Sequence, residues 1–271
     1  VGDARVTVLS PLPAAAVVVT WPTGGPAHSV AFGPDGAVYV GEEGRIELFD
    51  APAAGAGEVA APKLRATWTD AARLGQVTAL AGTADGVFAG DAAGRCIRRL
   101  DNRGQWQADI GADNRMRGFV LPNGHLDFAL DGEGVLHALN PGQHRVQRFD
   151  GTGKLLGHWG RFDGRDAEGF PGCCNPTNIA LLPGGDIVVT EKAGPRVKVY
   201  SREGKLRAHF GAEDFDPNCR NMDVATDAGG RIYVVDTERL HIVVYEPAAT
   251  TRPAAAAEPT ATPGGRGGER T

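Results

Sequence analysis

The sequence has few of the residues that would commit it to a specialised class of protein. Four cysteines in 271 residues are too few for a disulfide-based scaffold, and aromatic residues make up only 7% of the chain. No apolar run is long enough to span a membrane. The formal net charge of −5 leaves no basic surplus, which argues against nucleic acid as the main ligand. These absences predict a soluble protein that does not bind nucleic acid.

Several catalytic signatures are also missing from the sequence. It contains no GxSxG nucleophile elbow, no P-loop, no HExxH motif and no EF-hand loop. The sequence therefore assigns no reaction by motif, and whether the chain is an enzyme stays open at this point.

What the sequence does contain is a repeated unit. Its 39 glycines and 18 prolines indicate many turns. In five segments an alanine stands five residues before a turn glycine, namely Ala31/Gly36, Ala81/Gly86, Ala129/Gly134, Ala180/Gly185 and Ala225/Gly230. Each unit predicts three strands, and four units continue to a fourth, outer strand. About four strands per unit, repeated every 45 residues or so, are typical of a β-propeller. We therefore predict an all-β propeller over residues 1–247.

The unit resembles the NHL repeat, and the resemblance covers residues 27 to 247. The shared motif is an acidic or amide residue that ends the second strand, followed by a turn and an arginine. It occurs as Asp91…Arg95, Asn140…Arg145 and Glu191…Arg196, in a shortened form as Glu42…Arg45, and in a variant form as Asp236…Arg239. We expect these pairs to brace turns inside each blade. The resemblance implies a monomeric module that binds a protein, a peptide or a small molecule.

The sequence leaves two ways of closing the ring. Six blades are preferred, with residues 5–9 and 17–21 as the third and fourth strands of an incomplete first blade. The alternative is a five-bladed ring in which the N-terminal strand completes the fifth blade. Residues 248–271 lack the apolar content to fold and are expected to be a disordered tail. This Pro/Ala-rich tail and the family resemblance favour an extracytoplasmic location, periplasmic or secreted.

Three of the four cysteines stand where an outer strand leads to the next inner strand. Cys174 lies six residues before Ala180, and Cys219 lies six residues before Ala225. Cys173, Cys174 and Cys219 are therefore expected to face one rim of the channel, as a thiolate-bound metal or redox site. The alternatives are a Cys173–Cys174 disulfide, a cross-blade Cys174–Cys219 disulfide, or ordinary thiols in a rigid loop. The Gly-Cys-Cys-Asn-Pro loop is similar to loops of uncharacterised bacterial NHL-like proteins.

The inner strands carry a second candidate site. Two residues before each repeat alanine stand Ser29, Ala79, Asp127, Asn178 and Asp223. Side chains two apart on a strand share a face, so these residues are expected to point toward the channel. Asp127, Asn178 and Asp223 offer oxygen ligands for a divalent cation. The alternative is that they cap strand starts or hold channel water. At the rim, we expect binding residues at Asn123, Asn175 and Arg220.

Three functions follow from these candidates. The first is a binding module that uses the channel rim. The second is a divalent-metal-dependent, lactonase-like hydrolase with its ion at Asp127, Asn178 and Asp223, where the metal would polarise a carbonyl and activate water. The third is a redox or metal-thiolate protein that uses the three rim cysteines.

Overall fold

The structure of the chain is a computed structural model that describes residues 3–11, 13–52, 59–70, 72–192, 194–220 and 222–247. The described residues are almost entirely β-strands and turns. Two N-terminal strands are β1 (Arg5–Leu9) and β2 (Val17–Pro22). The first blade contains β3 (Ser29–Phe32), β4 (Val38–Gly41), β5 (Arg45–Phe49) and β6 (Leu64–Thr69). The second contains β7 (Val77–Thr83), β8 (Gly86–Asp91), β9 (Cys96–Asp101) and β10 (Trp106–Ile110).

The remaining three blades follow in chain order. The third contains β11 (Phe128–Leu130), β12 (Leu136–Asn140), β13 (Arg145–Phe149) and β14 (Leu155–Trp159), with a 3-10 helix at Pro141–Gln143. The fourth contains β15 (Asn178–Leu181), β16 (Ile187–Glu191), β17 (Arg196–Tyr200) and β18 (Leu206–Phe210). The fifth contains β19 (Val224–Thr226), β20 (Ile232–Asp236) and β21 (His241–Tyr245). In the part of the chain described here, no helix is both long and apolar enough to cross a membrane.

The sheets confirm the predicted propeller arrangement. Within each blade, consecutive strands pair in antiparallel fashion, and each blade begins with its inner strand. The inner strands β3, β7, β11, β15 and β19 contact one another in that order. Consecutive repeats are therefore neighbouring blades around one hub.

Among the described residues the ring has five blades, four of them four-stranded, and five is the number that the sequence left open as the alternative. Among the described residues, the N-terminal strands pair with each other and with no other strand, in a two-stranded sheet. In the same part of the chain the fifth blade has three strands, so the N-terminal strand does not complete it as that alternative supposed. Strand β1 was expected as the third strand of a blade, but Arg5, Val6 and Thr7 line the same cavity as the inner strands. The two-stranded sheet thus reaches the hub without forming a four-stranded sixth blade. The predicted tail lies outside the described residues.

The hydrophobic core is divided among the spaces between neighbouring blades. Between the fourth and fifth blades, Val188 and Val197 pack with Met222 and Val234. The other clusters likewise combine side chains from adjacent sheets. A propeller blade has two apolar faces, which explains why β16 reads as the continuous apolar run Ile187–Val189 and is buried along its whole length. Each blade is therefore held in the ring by both of its neighbours.

The turn glycines of the repeat do what their spacing predicts. Gly36, Gly134, Gly185 and Gly230 adopt φ angles between 77° and 83°. Residues other than glycine rarely adopt this left-handed conformation without strain. The repeated glycine is thus required by the turn that joins the first and second strands of a blade.

The predicted acid–arginine pairs brace turns in three blades. In the other two blades the residues of the motif have other partners. Glu42–Arg45 and Glu191–Arg196 pair at 2.5 Å, and Asp236–Arg239 pairs at 3.9 Å. In the second blade, Asp91 instead pairs with Arg98 at 2.9 Å, while Arg95 donates to the backbone carbonyls of Met116 and Phe119. In the third blade, Asn140 Nδ2 donates to the side-chain carbonyls of Gln143 and Gln147.

The difference at Asp91 has a geometric reason. Asp91 is opposite Cys96 in the β8–β9 ladder, and Arg98 lies two residues further along β9 on the same face. Arg95 has a φ of 55°, so its side chain leaves the turn in another direction. The motif therefore marks a turn, while the local register selects which arginine meets the acid.

Candidate functional site

A cavity of about 520 Å³ that is lined by both polar and apolar side chains occupies the hub, between β1 and the five inner strands. We call it the hub cavity. All five positions two residues before the repeat alanines line it, namely Ser29, Ala79, Asp127, Asn178 and Asp223. Of the repeat alanines themselves, only Ala225 is among the lining residues. The spacing thus identifies the strand ends that meet at the hub, while most of the alanines pack against neighbouring blades.

Several hub side chains join one blade to the next by hydrogen bonds to the backbone. Ser29 Oγ donates to the Val77 carbonyl at 2.9 Å, and Thr78 Oγ1 donates to the Leu126 carbonyl at 2.7 Å. At the equivalent place, Asp127 Oδ2 accepts from the Ile179 N–H at 2.8 Å. Asp127 therefore has a structural role between the third and fourth blades, which sequence spacing alone did not reveal.

Two carboxyl groups nevertheless remain close together in the hub cavity. Burial raises the pKa of Asp127 well above its usual value, and the negative charge of Asp223 raises it further. Burial also raises the pKa of Asp223. The accessible surface of the Asp223 side chain faces the hub cavity. The hub cavity is thus acidic.

The neutral polar groups of the hub are His125 and Asn178. The Asn178 Nδ2 amide lies 3.1 Å from His125 Nε2, which makes that ring nitrogen the acceptor of a neutral imidazole. Burial lowers the pKa of His125 to about 4, so the ring is uncharged at neutral pH. Asn178 is only 2% exposed, and its Oδ1 has no hydrogen-bond partner among the described residues. The hub therefore holds an unsatisfied acceptor beside two carboxyl groups.

The predicted divalent-metal site gains no support from this clustering. Among the described residues, no group of three or more histidine, cysteine, aspartate or glutamate side chains is arranged to hold a metal ion. Both oxygens of Asp127 already accept a backbone N–H, from Phe128 and from Ile179. Ca²⁺ usually takes six to eight oxygen ligands. An ion at Asp127, Asn178 and Asp223 stays a prediction.

A second cavity of about 330 Å³ lies at the rim and shares His28, Thr78 and His125 with the hub cavity. We call it the rim cavity. Gln76, Asn123, Lys192 and Arg220 complete most of its lining, and no carboxylate is among the lining residues. These residues come from loops that precede inner strands and from the end of β16. The rim is therefore basic where the hub is acidic.

The rim residues predicted from sequence have different surroundings. Asn123 and Arg220 both line the rim cavity. Asn175 is fully buried, where its Nδ2 donates to the Pro171 carbonyl and its Oδ1 accepts from the Lys192 N–H. Asn175 thus fixes the backbone of Lys192, a rim residue that the sequence analysis did not single out.

Among the described residues, no cysteine forms a disulfide bond, and the cysteines lie in two kinds of surroundings. Cys173 is exposed, Cys174 is buried, and their sulfur atoms are 2.9 Å apart. Burial raises the pKa of Cys174, an effect that Lys192 opposes. Cys219 is fully buried in the core between the fourth and fifth blades, with its Sγ 3.6 Å from Thr237 Oγ1.

None of these three thiols is among the residues that line the hub or rim cavities. A shared cofactor site at Cys173, Cys174 and Cys219 stays a prediction. Cys96 is a packed core residue, and burial raises its pKa to about 12.

Comparison with known proteins supports the repeat and the fold. No protein-family model matches the chain. A segment of 130 residues is 25% identical to the NHL-repeat protein brain tumor of Drosophila melanogaster, and it spans 47% of this chain but 12% of that protein. The sequence therefore has NHL-like repeats, while the rest of that relative has no counterpart in the match.

Solved structures extend the similarity of fold to most of the chain. An inactive variant of virginiamycin B lyase from Staphylococcus aureus is similar with a TM-score of 0.56 and 13% identity, over 82% of this chain and 70% of that one. A candidate 6-phosphogluconolactonase from Bacteroides uniformis is similar with a TM-score of 0.60 and 14% identity, over 87% and 71% of the two chains. At such identities the likeness shows the β-propeller fold alone.

Proposed function

We propose that this chain is an NHL-type β-propeller module that binds an anionic ligand, such as an acidic peptide, through its channel rim. The observation that carries the proposal is the rim cavity, in which Lys192 and Arg220 meet polar side chains and no carboxylate. Arg45 and Arg196, by contrast, are engaged by acids of their own blades. Arg220 is exposed and has no acidic partner among the described residues.

The positive charge of the rim cavity comes from two residues. Burial keeps His125 neutral near pH 7, so the cationic groups are concentrated at Lys192 and Arg220. The net charge of the whole chain is negative, so the protein surface as a whole repels acidic ligands. A local basic site at the rim therefore binds only those acidic ligands that fit it. A carboxylate or phosphate on a peptide matches an arginine fork beside a lysine.

A labelled acidic peptide tests the proposal. We expect N-acetylated tetraglutamate, with a fluorophore at its C-terminus, to bind the wild-type protein in an anisotropy titration at low salt. Arg220→Ala should weaken binding by about tenfold, because a charge-assisted hydrogen bond is worth roughly 1.5–3 kcal/mol. Arg207→Ala is the matched control, since it removes the same charge from the exposed outer strand β18.

Two results would oppose the proposal. One is no measurable binding of the peptide at low ionic strength. The other is equal weakening by Arg220→Ala and Arg207→Ala, which would mean that the peptide senses only overall charge. The lactonase-like alternative has no comparable observation in its favour, because the candidate lactonase named above shares the fold at 14% identity.

A further inference from the structure

The rim and hub cavities are neighbours, and they have opposite charge. They share the lining residues His28, Thr78 and His125, which places the two cavities side by side. Lys192 and Arg220 are at the outer end, and Asp127 and Asp223 are at the inner end. A ligand that fits both ends therefore needs a negative group outside and a positive group inside.

We infer that the hub cavity is a subsite for an organic ammonium group, which binds between Asp127 and Asp223 and donates to Asn178 Oδ1. An ammonium group has three N–H donors and no acceptor. The hub offers acceptors with remaining capacity: the unpartnered Oδ1 of Asn178 and the carboxyl groups of the two aspartates. Each oxygen of Asp127 accepts one backbone N–H and keeps a second lone pair, and one oxygen of Asp223 accepts from the Val224 N–H. The buried Asn178 acceptor is independent of the acidic pair and points to the same kind of ligand.

Charges already present in the hub do not replace such a ligand. Arg5 also lines the cavity, but its guanidinium pairs with Asp3 at 2.7 Å. His125 is neutral because burial lowers its pKa. The two aspartates therefore have no neutralising partner among the described residues, and the negative charge of Asp223 contributes to the raised pKa of Asp127. A bound cation would offset that charge.

An ammonium group matches the hub better than a divalent ion does. The described residues form no cluster of three or more metal-binding side chains, as stated above. One oxygen of Asn178 and two partly occupied carboxyl groups supply fewer ligands than Ca²⁺ usually takes. They are sufficient for the three donors of an ammonium group. Combined with the proposed function, on which this step rests, the ligand class is a zwitterion such as an acidic peptide with a free amino terminus.

The test compares two peptides that differ only at the amino terminus. The free α-amino group of tetraglutamate is positively charged at pH 7, whereas the acetylated amino terminus is neutral. We expect the free form to bind the wild-type protein about tenfold more tightly, because a charged hydrogen-bonded contact adds this much. Asp223→Asn should abolish the preference while leaving binding of the acetylated peptide within about twofold. Asp113→Asn, a change of the same charge at an exposed loop residue, should leave the preference intact.

The outcomes separate this inference from the proposed function. If the acetylated peptide binds and the free amino group adds nothing, the ammonium subsite is wrong and the rim proposal stands. If neither peptide binds, the rim proposal fails, and n-butylammonium chloride with n-butanol as its neutral counterpart then tests the hub alone by NMR titration. A preference that survives Asp223→Asn, or one that micromolar Ca²⁺ abolishes, would also overturn the inference. Thermal unfolding of each variant checks that the propeller remains folded.

Discussion

The neutral state of His125 makes the stability of this propeller depend on pH in a way that can be measured. Burial lowers the pKa of His125 from 6.5 to about 4. In the unfolded chain the ring takes up a proton as the pH falls through about 6.5, whereas in the folded protein it stays neutral until about pH 4. The unfolded state therefore binds more protons in this window, and the free energy of unfolding falls as the pH drops.

The size of the effect follows from the pKa difference. One pKa unit corresponds to about 1.4 kcal/mol, so the wild-type protein should lose about 3 kcal/mol of stability through His125 between pH 7 and pH 4. The variant His125→Gln keeps a polar group beside Asn178 but cannot take up a proton. We therefore expect its free energy of unfolding to fall by about 3 kcal/mol less than that of the wild type over the same range.

Urea unfolding at a series of pH values, followed by tryptophan fluorescence, provides the measurement. The comparison is between proteins because other groups titrate as well. His137 and His144 also have lowered pKa values and act in the same direction, while the raised pKa values of Asp127 and Asp223 act in the opposite one. These contributions are common to both proteins.

His209→Gln, a change on the exposed face of β18, serves as the control and should follow the wild type. Parallel loss of stability in the wild type and His125→Gln would refute the reasoning, because it would mean that the imidazole is charged or well hydrated in the folded protein.

Three further predictions concern the fourth blade, the thiols and the hub. Lys198 is fully buried, and its Nζ lies 2.8 Å from the carboxylate of Glu191. Lys198→Met should therefore lower the free energy of unfolding by about 3 kcal/mol, because it leaves the buried Glu191 without this partner. Adding Glu191→Gln should recover part of the loss, which a double-mutant cycle in urea measures. A neutral effect of the single change would contradict this. In a thiol titration of the folded protein, we expect the exposed Cys173 to react first and the buried thiols only after unfolding; equal reactivity of all four would be inconsistent with their burial. Elemental analysis of the purified protein tests the divalent cation that the sequence predicts in the hub. A protein that contains no metal and takes up no added Ca²⁺ would rule this cation out.

The local patterns were sufficient to predict the strands and their neighbours. Alternation and apolar runs identified β16 and β17, and the turn glycines have the left-handed φ angles that their repetition implied. Equal spacing also placed Asp127, Asn178 and Asp223 together, because equivalent positions of a radial repeat meet at one hub. A periodic sequence thus contains information about distant contacts.

The sites were predictable only in part, because a side chain's partners depend on neighbouring blades. Asn175 stands in a loop that looks exposed in sequence, yet its amide is consumed by the backbone of Pro171 and Lys192. Cys219 occupies a position equivalent to that of Cys174, but it packs into the core with Val188 and Met222. Equivalence in a repeat fixes where the backbone lies, and it does not fix which way a loop side chain turns.

The sequence by itself determined a radial β-repeat, the turns that its glycines require, and the set of strand ends at the hub, because these depend on interactions within one unit and on its repetition. Only the tertiary structure decided that five sheets have three or four strands, that β1 reaches the hub, and that a basic rim adjoins an acidic cavity. Those features arise between units. They depend on how neighbouring blades close around an axis, and no single segment of the chain encodes that closure.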